Sequence, residues 1–496
     1  MVAISFSESR IPFVLSLDIG TSSTRAVLFD ALGHTIEGFD ARHDYEIITR
    51  TDGTAEADPD QLLEGLWRCI DQVLSRLGPK AVDIQAVSTC TIVSNILGIN
   101  QDGKAVTPLI TYADTRPAKE VNFLRRTLDE EYFHQKVGTL FHTSYWPSRF
   151  LWFYQQRPDI YLDVFRWITI GEYLILKLFG QSAVSYSVAS WTGLLNRMTC
   201  DWDEELLSHL PISREKLSTL VDVDYYWSGL RHEFGQRWNW LKGARWYPAI
   251  GDGAGANLGS GCSVPNRVAV TMGTTTAVRV VLTDVPLVPR GLWCYRVDRR
   301  RNLLGGAMTE GGNIYSWLTR VLKVDESTLD QEVLQISPDQ HGLTFLPLFS
   351  GERAPGWAAD ARGAITGLSL GTTPQELVRA GLEGVSYRVG LIFDLIKDSL
   401  PSQAQVIASG GALLHSKPLL HIMADVLNRQ VITSPIPEAS ARGSALLALE
   451  KLGIFSDVSK APVFTGEVYK PNFENHQKYL EAIKRQKDLY RKIILS

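Results

Sequence analysis

Short apolar runs alternate along the chain with polar, glycine-rich turns and with longer stretches in which apolar residues recur every three or four positions. Strands and amphipathic helices in alternation predict an α/β fold. The first clear case is residues 14–30, VLSLDIGTSSTRAVLFD. Val14, Leu15 and Leu17 predict one strand, and Ala26, Val27, Leu28 and Phe29 a second. The link Gly20-Thr21-Ser22-Ser23-Thr24 predicts a hairpin with a free tip. The same order of apolar run, glycine, hydroxyls and apolar run returns at 267–284, RVAVTMGTTTAVRVVLTD. Aligned on the glycines, Asp18-Ile19-Gly20-Thr21 lies against Thr271-Met272-Gly273-Thr274. This repeat predicts two α/β domains, each with one hydroxyl-tipped hairpin.

The pattern between the repeats is mixed. Asp58-Pro59 predicts a helix start, and Leu62, Leu63, Leu66, Ile70, Val73, Leu74 and Leu77 give it an inward face that Gly78-Pro79 ends. Residues 82–99 read as strand, polar loop and strand, and 109–116 as a strand end running into a polar loop. Residues 117–235 are rich in helix and aromatics, and 202–243, with many Trp and Tyr and little periodicity, predict an insertion or lid. Tyr247 to Ala256 reads as a strand, an acidic turn and a small-residue helix start, with Asp252 placed as N-cap. Helices are predicted over 373–400, 441–453 and 474–495, with a buried strand at 406–409.

Composition narrows the class. The 496 residues carry a net charge of −4, with 45% hydrophobic and 21% charged residues. That fits a globular chain of two or three domains and predicts no nucleic-acid or membrane partner. Five widely spaced cysteines without a CxxC pair suggest neither disulfides nor zinc, and predict a reducing, cytoplasmic setting.

The first hairpin tip has the chemistry of an anion cup. Thr21, Ser22, Ser23 and Thr24 supply hydroxyls and backbone N–H groups, Arg25 a positive fork, and Gly20 close backbone approach. Asp18 beside such a cup points to a metal, which offsets the repulsion between carboxylate and phosphate. An ordinary Gly/Ser/Thr hairpin with solvated Asp18 and Arg25 fits the first pattern equally well. The second tip changes the balance, because two tips in two domains can clamp one polyphosphate.

Four motifs in chain order make the chain resemble the FGGY carbohydrate kinases over roughly 13–455. They are Asp18 to Arg25; Gly251-Asp252-Gly253 with Thr271 to Thr274; Gly351-Glu352-Arg353-Ala354-Pro355 with Arg362-Gly363; and Ser409-Gly410-Gly411-Ala412 with Glu438 to Ala445. The resemblance implies two ribonuclease-H-like domains of the actin/hexokinase/Hsp70 ATPase type around a cleft. Residues 1–255 would hold the sugar, the first hairpin and the catalytic aspartate, and 256–496 the nucleotide and the second hairpin. It also implies transfer of the ATP γ-phosphoryl group to a sugar or sugar-acid hydroxyl.

Carried residue by residue, the resemblance makes Asp252 the general base and Asp18 the Mg²⁺ residue. Gly20, Thr21, Ser22, Ser23, Arg25, Gly273 and Thr274 become the phosphate contacts, and Gly312, Ser316, Gly410, Gly411 and His415 line the nucleotide. Thr91, Val93, Ser94 and Asn95, then Tyr112, Asp114 and Arg116, fall where the family reads its sugar, with Asp252. Arg116 and Arg149 are candidates to take a carboxylate bidentately, although either alone fits an ordinary ion pair. Ile92-Val93-Ser94 stands where many sugar-kinase relatives carry Gln-Met-His, and the Arg-Glu pair of glycerol kinases is missing. His142 to Pro147, Ser190 to Asn196 and Gly351 to Trp357 look most like the bacterial gluconate-kinase branch. D-gluconate is therefore the leading substrate. A pentulose (xylulose or ribulose) or a polyol such as glycerol is the alternative within enzymes, and a nucleotide-binding regulator on the same fold the alternative outside them. Nothing in the pattern sets an oligomeric state; a homodimer is one option.

Overall fold

The computed structural model describes residues 3–285 and 287–495. Its centre is a pair of seven-stranded sheets. The first contains β1 (Ala3–Ile4), β2 (Phe13–Ile19), β3 (Ser23–Phe29), β4 (Thr35–Asp44), β5 (Ile84–Thr91), β6 (Arg245–Trp246) and β7 (Ile250–Gly251). They lie in the order β1-β4-β3-β2-β5-β6, with β7 pairing further along β5. The second contains β8 (Arg267–Met272), β9 (Thr276–Leu282), β10 (Trp293–Arg296), β11 (Asn302–Met308), β12 (Gln405–Ser409), β13 (Val431–Thr433) and β14 (Val468–Tyr469). Their order is β10-β11-β9-β8-β12-β13-β14.

The internal repeat is real in three dimensions. β2 pairs antiparallel with β3 and parallel with β5; β8 pairs antiparallel with β9 and parallel with β12. Ile19 opposite Thr24 closes the first hairpin, and Met272 opposite Thr276 closes the second.

Helix α1 (Pro59–Leu77) packs on the first sheet as its spacing predicts. The Asp58 side chain accepts from Asp60 N and Gln61 N, and all seven expected apolar residues are buried. Each buried Leu or Ile contributes about 2 kcal/mol towards offsetting the helix's ordering cost. Helix α4 (Pro374–Ile396) does the same for the second sheet, started by a Thr373/Glu376 capping box.

Between the sheets two small-residue helices cross, α2 (Asp252–Gly259) and α6 (Ala439–Lys451). A Cβ at Gly259 would stand 1.8 Å from the Ala439 carbonyl oxygen, and one at Gly443 1.9 Å from that of Gly255, so only glycine permits this approach. Although it comes late in the chain, α6 packs on the first sheet. Ser16 Oγ bonds the Ala441 carbonyl at 2.9 Å, and Ser444 Oγ lies 2.7 Å from Ser16 Oγ and 3.0 Å from Ser88 Oγ. The crossing therefore ties the two halves together directly behind the hairpins.

Residues 202–243 are no lid. Trp202, Trp227 and Trp238 are buried, the strand Thr219–Val221 pairs with Ala183–Ser185, and Trp238 Nε1 donates to Asp71 on α1 at 2.8 Å. The tail helix α7 (Phe473–Ile494) is a packing element: Tyr479, Ala482, Ile483 and Gln486 are buried beside α4. No helix among the described residues is long and apolar enough to cross a membrane.

Candidate active site

β7 runs into α2 and places Asp252 as the first residue of that helix; Gly251, not Asp252, is the N-cap. The Asp252 carboxylate accepts the Gly253 N–H at 2.7 Å. Burial pushes its pKa up, while the Arg279 guanidinium and the Gly253 N–H pull it down. A half-buried carboxylate with raised basicity and, among the described residues, no ion pair is suited to take a proton from a nearby hydroxyl.

Asp18 lies across from it at the end of β2. Burial raises its pKa to about 6, the Cys90 thiol opposes that by donating to Oδ1 at 3.2 Å, and Asp252 and Glu438 add to the rise. Buried, negatively flanked and with one oxygen unengaged by protein, it fits a divalent cation better than a solvated aspartate does.

The first hairpin tip is open to solvent at Thr21 and Ser22, while Ser23 is buried. Tyr45 holds the tip: its N–H donates to the Ser22 carbonyl at 3.0 Å and its hydroxyl to that of Gly20. Arg25 is not free. Its guanidinium donates to Glu438 at 2.5 Å, and Nε reaches Ser23 Oγ at 3.3 Å.

The second hairpin borders a cleft of about 870 Å³ in the C-terminal half. Gly273, Thr274, Gly312, Ser316, Gly411 and His415 all line it, with Tyr315 and Trp317 from α3 (Gly312–Leu322) and Phe349 as its aromatic walls. A Cβ at Gly312 would meet Ala412 Cβ at 2.4 Å, so glycine keeps the floor open. Gly410 packs against the second hairpin. With φ +88° it passes beneath Met272, whose carbonyl oxygen would lie 2.4 Å from a Cβ there. Among the described residues the one His/carboxylate group with metal spacing, Asp339, His341 and Glu383, is far from being free: Arg379, Tyr387 and Tyr479 all bond Glu383.

The expected sugar readers divide. Tyr112 keeps 39% of its surface exposed; partial burial raises the pKa of its hydroxyl, which the charge of Arg353 lowers and that of Asp252 raises. Ser94 lies in a left-handed turn (φ 53°) with its hydroxyl on the Trp191 carbonyl at 2.9 Å. Asn95 is turned inward: Nδ2 donates to the Ile92 carbonyl at 2.7 Å and Oδ1 accepts from Ile170 N at 2.9 Å. Asp114 is buried, accepting from Ala55 N and pairing with Arg116, which also binds Glu56 at 2.6 Å and covers Trp152. Arg149 donates to the carbonyls of Thr143, Ser94 and Thr111 at 3.1, 2.7 and 2.5 Å. The side-chain polar atoms of Asn95, Asp114 and Arg149, and Nε and Nη2 of Arg116, are thus bonded to neighbouring protein groups.

Tyr145 and Tyr295, one from each half, meet hydroxyl to hydroxyl at 2.6 Å, and Trp191 stacks on Tyr295 with centroids 3.5 Å apart. Arg279 enters from β9, its Nε 3.5 Å from where a Cβ of Gly253 would sit. It is the one charged residue in the apolar run 276–282, and that was the available sequence signal.

Residues 13–259 match the N-terminal domain of the FGGY family of carbohydrate kinases and 268–451 its C-terminal domain. The chain belongs to the FGGY family of carbohydrate kinases. It is thus a phosphotransferase acting on an alcohol group, on the actin/hexokinase-like fold. The kinase is 26% identical to a gluconokinase of Bacillus subtilis over 471 residues, covering 92% of this chain and 91% of that one. It is 30% identical to a glycerol kinase of Herminiimonas arsenicoxydans over 453 residues, 88% and 89% of the two chains. Its fold matches the crystal structure of a gluconate kinase from Lactobacillus acidophilus with a TM-score of 0.92 at 24% identity, over 98% and 99% of the chains.

Proposed function

We propose that this FGGY kinase is a cytoplasmic, ATP-dependent gluconate kinase. The observation that carries the reading is the position of Asp252: a carboxylate of raised basicity at the start of α2, where the two halves meet, beside Asp18 and Arg279. The choice of gluconate draws on the gluconokinase and gluconate kinase among the relatives, and five buried free cysteines suit a reducing cytoplasm.

Asp252 takes the proton of the attacking hydroxyl as the new O–P bond forms and the bond to ADP breaks. Thr21, Ser22 and Thr274 supply hydroxyls and N–H groups to the phosphates from both sides. Gly312, Ser316, Gly411 and His415 seat the nucleotide. Asp18 would hold Mg²⁺, which when bound offsets phosphate charge. Residues 1–255 serve the sugar and 256–496 the nucleotide, and closing the halves shuts water away from the transferring group.

ADP release by the purified protein with Mg²⁺ and ATP, measured with gluconate, xylulose, ribulose and glycerol, tests this. Gluconate is expected to give the highest kcat/KM, by about 100-fold or more. Preference for any neutral acceptor overturns the assignment.

A further inference from the structure

A second cavity, of about 710 Å³, lies where the β10–β11 hairpin meets the N-terminal half, and it shares no lining residue with the nucleotide cleft. Three arginines from separate segments line it: Arg166 at the start of the strand Arg166–Ile168, Arg214, and Arg299 between β10 and β11. Their charges are matched to different degrees. Arg214 is spent, donating to Asp201 at 2.6 Å and to Glu204. Arg166 and Arg299 have no carboxylate within ion-pair distance among the described residues. The Arg299 guanidinium donates to the Tyr186 hydroxyl and lies over that ring at 5.0 Å. Arg166 lies over the Phe165 ring at 5.4 Å, and its Nε is sealed from solvent with no hydrogen-bond partner among the described residues.

The carboxylates nearby do not cancel this charge. Asp222 accepts the backbone N–H groups of Val223 at 2.8 Å and Arg299 at 3.2 Å, which fixes the hairpin tip instead of the guanidinium. Of the two carboxylates in the lining, Asp201 is taken by Arg214, and Glu215 is exposed and has no arginine or lysine partner among the described residues. Two unmatched guanidiniums thus stand against one unmatched carboxylate. A desolvated donor without an acceptor is costly, and a ligand in the cavity can supply the acceptor. The rest of the lining suits a polyhydroxy molecule: Thr199 and Thr219 bring hydroxyls, and the buried Trp202 and Leu217 an apolar wall. A volume of this size fits a small metabolite better than a lone ion.

We propose that this cavity binds a sugar phosphate, with Arg166 and Arg299 sharing the phosphate and the sugar lying against Trp202 and Leu217. A phosphate ester near pH 7 carries close to two negative charges and three acceptor oxygens, which two guanidinium forks match. Free phosphate offers the same charge without the carrier, and the hydroxyl and apolar lining favours the ester. The site is separate from the one that transfers the phosphoryl group, so it holds whichever acceptor the kinase prefers.

Calorimetry on the full chain tests this, with saturating Mg²⁺ and ADP to fill the nucleotide cleft and with glucose 6-phosphate, glucose and inorganic phosphate as probes. Glucose 6-phosphate is expected to bind with a Kd below about 1 mM, at least about tenfold tighter than either glucose or inorganic phosphate. Arg166→Gln and Arg299→Gln are each expected to weaken it at least about tenfold, with kcat in its absence within about twofold of wild type. Arg299 is exposed, so its variant carries the test if Arg166→Gln fails to fold. No heat with glucose 6-phosphate, or an affinity that Arg299→Gln leaves unchanged, overturns the site. Inorganic phosphate binding as tightly as glucose 6-phosphate overturns the sugar phosphate as its occupant.

Discussion

Arg25, on the first hairpin, donates to Glu438 at 2.5 Å, joining residues 413 positions apart in the chain. The fork that the sequence assigns to phosphate is occupied, in this conformation, by a carboxylate from the loop entering α6. Both side chains keep about a quarter of their surface exposed (25% and 29%), so the pair is worth about 1 kcal/mol or less. A phosphate can displace it at little cost. Glu438→Gln is expected to release Arg25 and lower the KM for ATP by about two- to fivefold. Steady-state kinetics check this, and a raised KM would show that Glu438 assists the nucleotide instead of competing with it.

The crossing of α2 and α6 has no room for a side chain. Gly259→Ala is expected to cost more than about 2 kcal/mol in urea unfolding, since the new methyl group would overlap the Ala439 carbonyl. Gly243→Ala is the matched control, because a Cβ there meets nothing within 4 Å, and it is expected to be neutral or slightly stabilising. Equal effects at the two positions would contradict the tight crossing.

Burial, helped by the charges of Arg353, Arg125 and Arg149, lowers the pKa of His142 to about 3. The unfolded chain protonates this histidine below about 6.5, but the folded chain does not. Stability is therefore lost as pH falls from about 6.5 towards 3, by up to about 1.4 kcal/mol per unit. Between pH 7 and pH 5 His142 is expected to contribute a loss of about 2 kcal/mol. Urea titrations at both values show this as a steeper fall for the wild type than for His142→Asn. Identical falls would place a charged imidazole in the native cleft.

Much of this architecture can be read from local pattern. α1 announces itself through its cap and the spacing of its seven apolar residues, and the two hairpins through their repeat. The stretch 202–243 was illegible because its helices run one or two turns and its strands two or three residues, too short for periodicity to register. Asn95, Asp114 and Arg116 have the chemistry of sugar readers, yet their partners Ile170, Ala55 and Glu56 lie 59 to 75 residues away. Whether a polar side chain is engaged by its own protein is set by such long-range contacts, and composition cannot show it.

Phosphoryl transfer depends on Asp252 as the base. Phosphate ester formation followed by ³¹P NMR, with gluconate, Mg²⁺ and ATP, is the direct measurement. Wild-type protein is expected to convert ATP and gluconate to ADP and a sugar-acid phosphate. Asp252→Asn is expected to lower kcat by about 10³-fold or more while calorimetric ATP binding changes little. Ester formation by Asp252→Asn at a rate near wild type would contradict the account.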